Sequence, residues 1–200
     1  MKGSLIIVGF FVLGILSGVG NFLPPDLFSE EASQFVLYIL MFLVGLSIGY
    51  DKELLRSLRQ TNWKILLVPI GTIVGTLAGT AVVGIFIPQW SITESMAVGS
   101  GFGYYSLSSI FITKYKGAAL GTIALMSNIM REIFALLAAP LLVRWFGRVA
   151  PISAAGATSM DTALPIITQY SGRDYVVLAI SHGIIVDLTV PFLVTFFCSF

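Results

Sequence analysis

From Ile65 to Ile87 the chain carries no ionisable side chain. A helix needs about 20 apolar residues to cross the hydrocarbon of a bilayer, so this run reads as a membrane span. Four further apolar runs accompany it: Leu5–Leu23, Gln34–Tyr50, Gly117–Val143 and Tyr175–Phe197. Charged residues make up only 10% of the 200 positions. A soluble domain carries about 25%, and with fewer it cannot cover its surface. With 56% hydrophobic residues the chain is also too apolar to stay disordered. The expected class is an all-α polytopic membrane protein with little soluble mass.

Composition excludes several roles. Net charge is +1 and no Lys/Arg run occurs, so no nucleic-acid partner is expected. One cysteine, Cys198, and one histidine, His182, leave neither an internal disulfide nor a metal cluster. Lys2 ahead of an apolar run suggests a signal peptide, but no small-x-small cleavage site and polar mature domain follow, and more spans do. The Gly99-Ser-Gly101-Phe-Gly103 run lacks the strand and soluble βαβ unit a nucleotide loop requires.

Small residues at four-residue spacing mark the first three runs: Gly14 with Gly18, Gly45 with Gly49, and Gly71, Gly75 and Gly79. Such stripes let helix backbones approach closely in lipid. The basic loop 51–64 carries Lys52, Arg56, Arg59 and Lys64 and is expected in the cytoplasm.

Two segments break the pattern. Ala97–Thr113 is short and rich in Gly, Ser and Tyr, and Ile152–Tyr170 holds Gly156, Thr158, Ser159, Asp161, Thr162 and Pro165. Each precedes an apolar run with an acid inside. An offset of 55 residues aligns the two copies: Gly101 with Gly156, Ile112-Thr113 with Ile167-Thr168, Tyr115 with Tyr170, Gly117 with Gly172, Ala124 with Ala179, and Glu132 with Asp187. Paired interrupted segments are the best sequence pointer to a transporter's binding site. The expected organisation is three spans in 1–93, one repeat unit in 94–149 and a second in 150–200. If both weak segments are re-entrant, there are about five transmembrane helices, the repeat is inverted, the N-terminus is cytoplasmic and the C-terminus outside. Lys2, Lys52, Arg56, Arg59, Lys64, Arg144, Arg148 and Arg173 then lie inside, and Lys114 and Lys116 outside. Spanning segments only exchange Lys114 and Lys116 with Arg144 and Arg148, so charge does not decide between the layouts.

Charges within a bilayer are costly and mark function by default. Four qualify: Arg131, Glu132, Asp161 and Asp187. Asn128, Arg131 and Glu132 share one helix face, extended by Gly121, Ala124, Ala135 and Ala139. That face serves either a binding cavity or a structural polar contact. Asp161 sits in Gly-Ala-Thr-Ser-Met-Asp-Thr-Ala-Leu-Pro, where broken backbone leaves N–H and C=O groups free for a ligand. It suits a cationic amine or a proton, unless the segment is a solvated surface loop. His182, with a pKa of about 6.5, is either a proton relay or a packing residue. Ser106, Ser108, Thr158 and Ser159 supply further polar atoms in the breaks, and Asp187 follows from the repeat alone. No catalytic or metal residue is expected, and no cofactor beyond a coupling proton or Na+.

The run Ser100-Gly-Phe-Gly-Tyr-Tyr-Ser-Leu-Ser108, then Arg131-Glu132, then Gly156-Ala-Thr-Ser-Met-Asp161-Thr-Ala-Leu-Pro165, then His182-Gly183 resembles the lysine exporter (LysO) family in order and spacing. The resemblance covers essentially the whole chain. It implies a multi-pass exporter of L-lysine in the bacterial inner membrane, coupled to an ion gradient through intramembrane acids, with related basic amino acids or toxic analogues such as thialysine as further substrates. Asp161 matches the family's motif acid. Longer members begin with a further block of spans, which this chain lacks. A short membrane partner, or a homodimer through the glycine stripes, is the corresponding expectation. Two rival classes remain at this level: a non-transporting subunit of a split complex, and an intramembrane hydrolase using Asp161, His182 and a Ser or Thr.

Overall fold

The computed structural model describes residues 63–200 and, ahead of them, residues 13, 16–20, 35, 39, 42, 46 and 50. The chain divides into two units, Met1–Tyr50 and Asp51–Phe200. The first two expected spans, the basic loop 51–64 and the Gly14 and Gly45–Gly49 stripes lie largely outside the described residues. In the first unit, Phe35, Ile39, Phe42, Leu46 and Tyr50 are helical, exposed and three or four residues apart, which puts them on one apolar face.

Every regular element among the described residues of the second unit is helical. α1 (Trp63–Ile85) takes in the uncharged run as far as Ile85 and tolerates a buried Pro69. α2 (Ile92–Gly99) starts at a capping box. Ser91 Oγ accepts from the Glu94 amide at 3.1 Å, and Glu94 Oε2 accepts from the Ser91 amide at 2.8 Å. That bond holds the Glu94 carboxyl below its ordinary range. After a break at 100–104 come α3 (Tyr105–Lys116) and α4 (Ala118–Phe146). α5 (Ala150–Ala155) runs into a 3-10 turn, Gly156–Met160, and α6 (Leu164–Ser171) follows. A second 3-10 turn, Arg173–Tyr175, leads into α7 (Val176–Cys198).

Among the described residues three helices are long and apolar enough to cross a membrane: Ile65–Ile85, Ala118–Phe146 and Arg173–Cys198. They are the third, fourth and fifth spans read from sequence. α2, α3, α5 and α6 have 8, 12, 6 and 8 residues, so none reaches across alone. The chain is an all-α membrane protein with two broken segments. Each piece leans on a long neighbour: α2 on α1, α3 and α5 on α4, and the first 3-10 turn on α7.

Positions matched by the 55-residue offset can be compared directly, although the second copy also holds two 3-10 turns, Gly156–Met160 and Arg173–Tyr175. Gly117 ends α3 at φ 93, ψ 167, and Gly172 ends α6 at φ 100, ψ 160. Both conformations need glycine. Ile112 and Ile167, and Ala124 and Ala179, are all buried. The Gly71, Gly75 and Gly79 stripe behaves otherwise. A Cβ at any of them meets nothing within 4 Å among the described residues, so in this unit the stripe faces outward. The other face of α1 packs inward, with Thr72 buried and Thr76 and Thr80 half-buried.

Candidate functional site

The two broken segments meet backbone to backbone. The Ala157 amide donates to the Phe102 carbonyl at 2.9 Å, and these two residues are themselves 55 apart. Phe102 sits at φ 46, a left-handed conformation costing a non-glycine residue about 1–3 kcal/mol. Gly156, at φ 66, has no Cβ because the Phe102 carbonyl occupies the place one would take. On the far side, a Cβ on Gly183 would lie 2.7 Å from Met160 Cβ and 2.9 Å from the Ala157 carbonyl oxygen. The crossing is therefore close-packed, and glycine permits the approach.

α4 fastens both breaks. Asn128 is buried; its Oδ1 accepts from the Gly103 amide at 2.8 Å, and its Nδ2 donates to Val98 O at 3.2 Å and Ala124 O at 2.9 Å. One turn on, Arg131 reaches the other segment. Its Nε donates to Ala154 O at 2.9 Å, Nη2 to Ser153 O at 3.0 Å, and Nη1 to Thr76 Oγ1 at 3.3 Å. These carbonyls end α5, where a cation is favoured by the helix dipole. The guanidinium also lies 5.8 Å from the Phe102 ring centroid. Among the described residues none of these partners is an acid. Gly121, Ala124, Ala135 and Ala139 are buried along with Asn128, as the shared face requires.

His182 is fully buried, with Nδ1 3.1 Å from Ser159 Oγ and Nε2 2.9 Å from Thr72 Oγ1. Ser159 donates its own proton to Ala179 O at 2.9 Å. The proton shared with His182 is therefore on Nδ1, and the ring cannot act as a base towards this serine. Thr158 Oγ1 donates to Ala155 O at 3.0 Å, and Ser108 Oγ donates to Tyr104 O at 2.8 Å. These hydroxyls satisfy the backbone of their own breaks. Ser106 is exposed in the first turn of α3, which opens without a side-chain cap.

The acids lie on three different parts of this unit. Asp161 is exposed just after the 3-10 turn, and its Oδ1 accepts from its neighbour, the Thr162 amide, at 2.5 Å. Asp187 is buried on α7 within electrostatic reach of Asp161. Tyr104 feels the charges of Asp187 and Asp161, and Tyr105 those of Glu132 and Asp161. Glu132 is half-buried on α4. The charges of all three acids are thus felt at Tyr104 or Tyr105, at the uncapped start of α3. Among the described residues no cluster of His, Cys, Asp and Glu can hold a metal ion.

Sequence reasoning did not single out Thr72, Thr76 or Phe102. The threonines were legible in principle: Thr72, Thr76 and Thr80 recur every fourth residue in an otherwise apolar span.

A protein of Escherichia coli (strain K12), "Lysine exporter LysO", is 35% identical over 98% of this chain. One of Haemophilus influenzae, "Putative lysine exporter", is 34% identical over 86% of the chain and 87% of its own length. The chain spans 64% of the Escherichia coli protein's length. No solved structure matches. The family model for lysine exporter LysO matches residues 8–198, nearly the whole chain, and the chain therefore belongs to that family.

Proposed function

We propose that the chain is a secondary active transporter that exports L-lysine across the bacterial inner membrane, with the crossing at Phe102 and Ala157 as its substrate site. One observation carries the reading: two interrupted segments are bonded to each other through Ala157 N and Phe102 O, and the charges of Glu132, Asp161 and Asp187 reach Tyr104 or Tyr105, the residues that follow that turn. Broken backbone at membrane depth belongs where it lines a binding site. The relatives' names supply the substrate.

Lysine brings two ammonium groups and one carboxylate. The ammonium groups pair with Asp161 and Glu132, whose charges both reach Tyr105. The carboxylate sits at the start of α3, where no side chain caps the helix and the dipole favours an anion. Arg131 is less suited to that role, because three of its N–H groups are spent on Ala154, Ser153 and Thr76. Protonation of one of the intramembrane acids releases the cation and couples the cycle. That makes proton antiport the coupling, with Na+ the alternative.

Export is the direction, related basic amino acids and thialysine the further substrates, and the 55-residue repeat is inverted. The working assembly is a homodimer or a complex with a second membrane protein. Counterflow in proteoliposomes tests the core of this reading. Lysine exchange is expected, and Asp161→Asn abolishes it. Unchanged exchange in that variant removes Asp161 from the site, and no exchange by the wild-type chain favours a subunit that needs a partner.

A further inference from the structure

The polar centre rests on a helix outside the repeated half. Thr72 and Thr76 lie on successive turns of one face of α1. Thr72 meets His182 of α7 and Thr76 meets Arg131 of α4. Those two side chains then grip the second broken segment from either end. Arg131 holds the last carbonyls of α5, and His182 holds Ser159 in the 3-10 turn. With the Nδ1 proton directed at Ser159, Nε2 of the neutral ring is an acceptor, and the Thr72 hydroxyl donates to it. The chain of bonds from Thr72 through His182 and Ser159 ends on the Ala179 carbonyl, a group that takes up no proton. It is built to hold a position, not to conduct.

We propose that Thr72 and Thr76 are positioning residues: through His182 and Arg131 their hydroxyls hold the turn preceding Asp161 against the crossing. The proposal rests on the crossing being the substrate site. It gives α1 a defined part in transport, because any rearrangement of the second break must either carry α1 with it or release both hydroxyls.

The test uses nitrogen-15 NMR of the imidazole together with lysine counterflow, both on the full chain. His182 is the only histidine, so its ring signals need no assignment by mutation. In the wild type the proton is expected on Nδ1, with Nε2 shifted by an accepted hydrogen bond. Thr72→Val keeps the shape and removes the donor. Its Nε2 signal moves to the position of a free imine nitrogen, and counterflow falls about tenfold, the scale of one buried group left unpaired. Thr72→Ser restores both readouts. Thr76→Val lowers counterflow and leaves the imidazole signals in place. Wild-type signals and counterflow in Thr72→Val overturn the proposal. So does a Thr72→Ser variant as impaired as Thr72→Val, since the methyl would then be what matters. If Thr72→Val does not accumulate as folded protein, the wild-type imidazole decides: a free Nε2 there overturns the proposal. A wild-type chain that exchanges no lysine rejects the preceding functional reading and leaves the NMR result standing.

Discussion

Replacing Gly156 by alanine tests the crossing directly. Two costs follow from the geometry. The first is conformational: φ 66 with ψ −127 suits glycine alone, and forcing an L side chain there costs about 1–3 kcal/mol. The second is steric. The new Cβ falls on the Phe102 carbonyl, the group that accepts the Ala157 amide. The segments must part, and a buried amide and carbonyl lose each other at about 1–3 kcal/mol. Gly147→Ala is the control. Gly147 has φ 87 with ψ 174, and a Cβ there meets nothing within 4 Å among the described residues. It carries the first cost without the second. Thermal unfolding in detergent should place Gly156→Ala below Gly147→Ala by about 2–10 °C, taking the shift per kcal/mol expected for a chain of this size. Lysine counterflow should be lost in Gly156→Ala and retained in Gly147→Ala. Equal melting temperatures with equal transport would refute the claim that the two breaks depend on contact at Phe102 and Ala157.

Other outcomes are equally specific. Asn128→Ala strands the Gly103 amide, and unfolding should come about 1–3 kcal/mol earlier, measured against Ser106→Ala, whose exposed hydroxyl costs little. Cysteine at Lys114 or Lys116 should react with a membrane-impermeant thiol reagent from outside if the first break is re-entrant, and from the cytoplasm if it spans. Ser91→Ala should destabilise α2 by about 1 kcal/mol through loss of its cap, read by hydrogen exchange at residues 92–95. The Glu94 carboxyl is held low by the Ser91 amide, so its contribution is present above the ordinary carboxylate range. It is lost as the pH falls through that lowered value. Glu94→Gln should flatten this acid dependence, and an unchanged pH profile would remove the carboxylate from the cap.

Much of the arrangement was legible before any coordinates. Hydropathy and run length located the runs Ile65–Ile87, Gly117–Val143 and Tyr175–Phe197, which fold as the helices Ile65–Ile85, Ala118–Phe146 and Arg173–Cys198, because a bilayer sets a minimum length for a spanning helix. The glycine-rich stretches announced breaks, since glycine and clustered hydroxyls favour irregular backbone. The match of Gly117 with Gly172 found its counterpart in two helix ends of nearly equal φ and ψ. The shared face of Gly121, Ala124 and Asn128 is buried because periodicity fixes which residues of one helix lie together. Other readings turned on partners no spacing encodes. The Gly71, Gly75 and Gly79 stripe invites a neighbour, yet in this unit α1 packs through its threonines. Arg131 shares a helix face with Asn128 and Glu132, and which groups its guanidinium meets, the carbonyls of Ser153 and Ala154, is set by the packing of α5 against α4.

Sequence alone determined the medium, the helices and the places where they break, all of which follow from local composition and the periodicity of one strand of chain. Tertiary structure decided which polar groups answer one another. The bond between Thr72 and His182 joins residues 110 apart, and Arg131 reaches Ala154 across 23. Such pairings depend on which helices lie side by side and how they are rotated, and a buried donor accepts whichever partner that packing brings within about 3 Å.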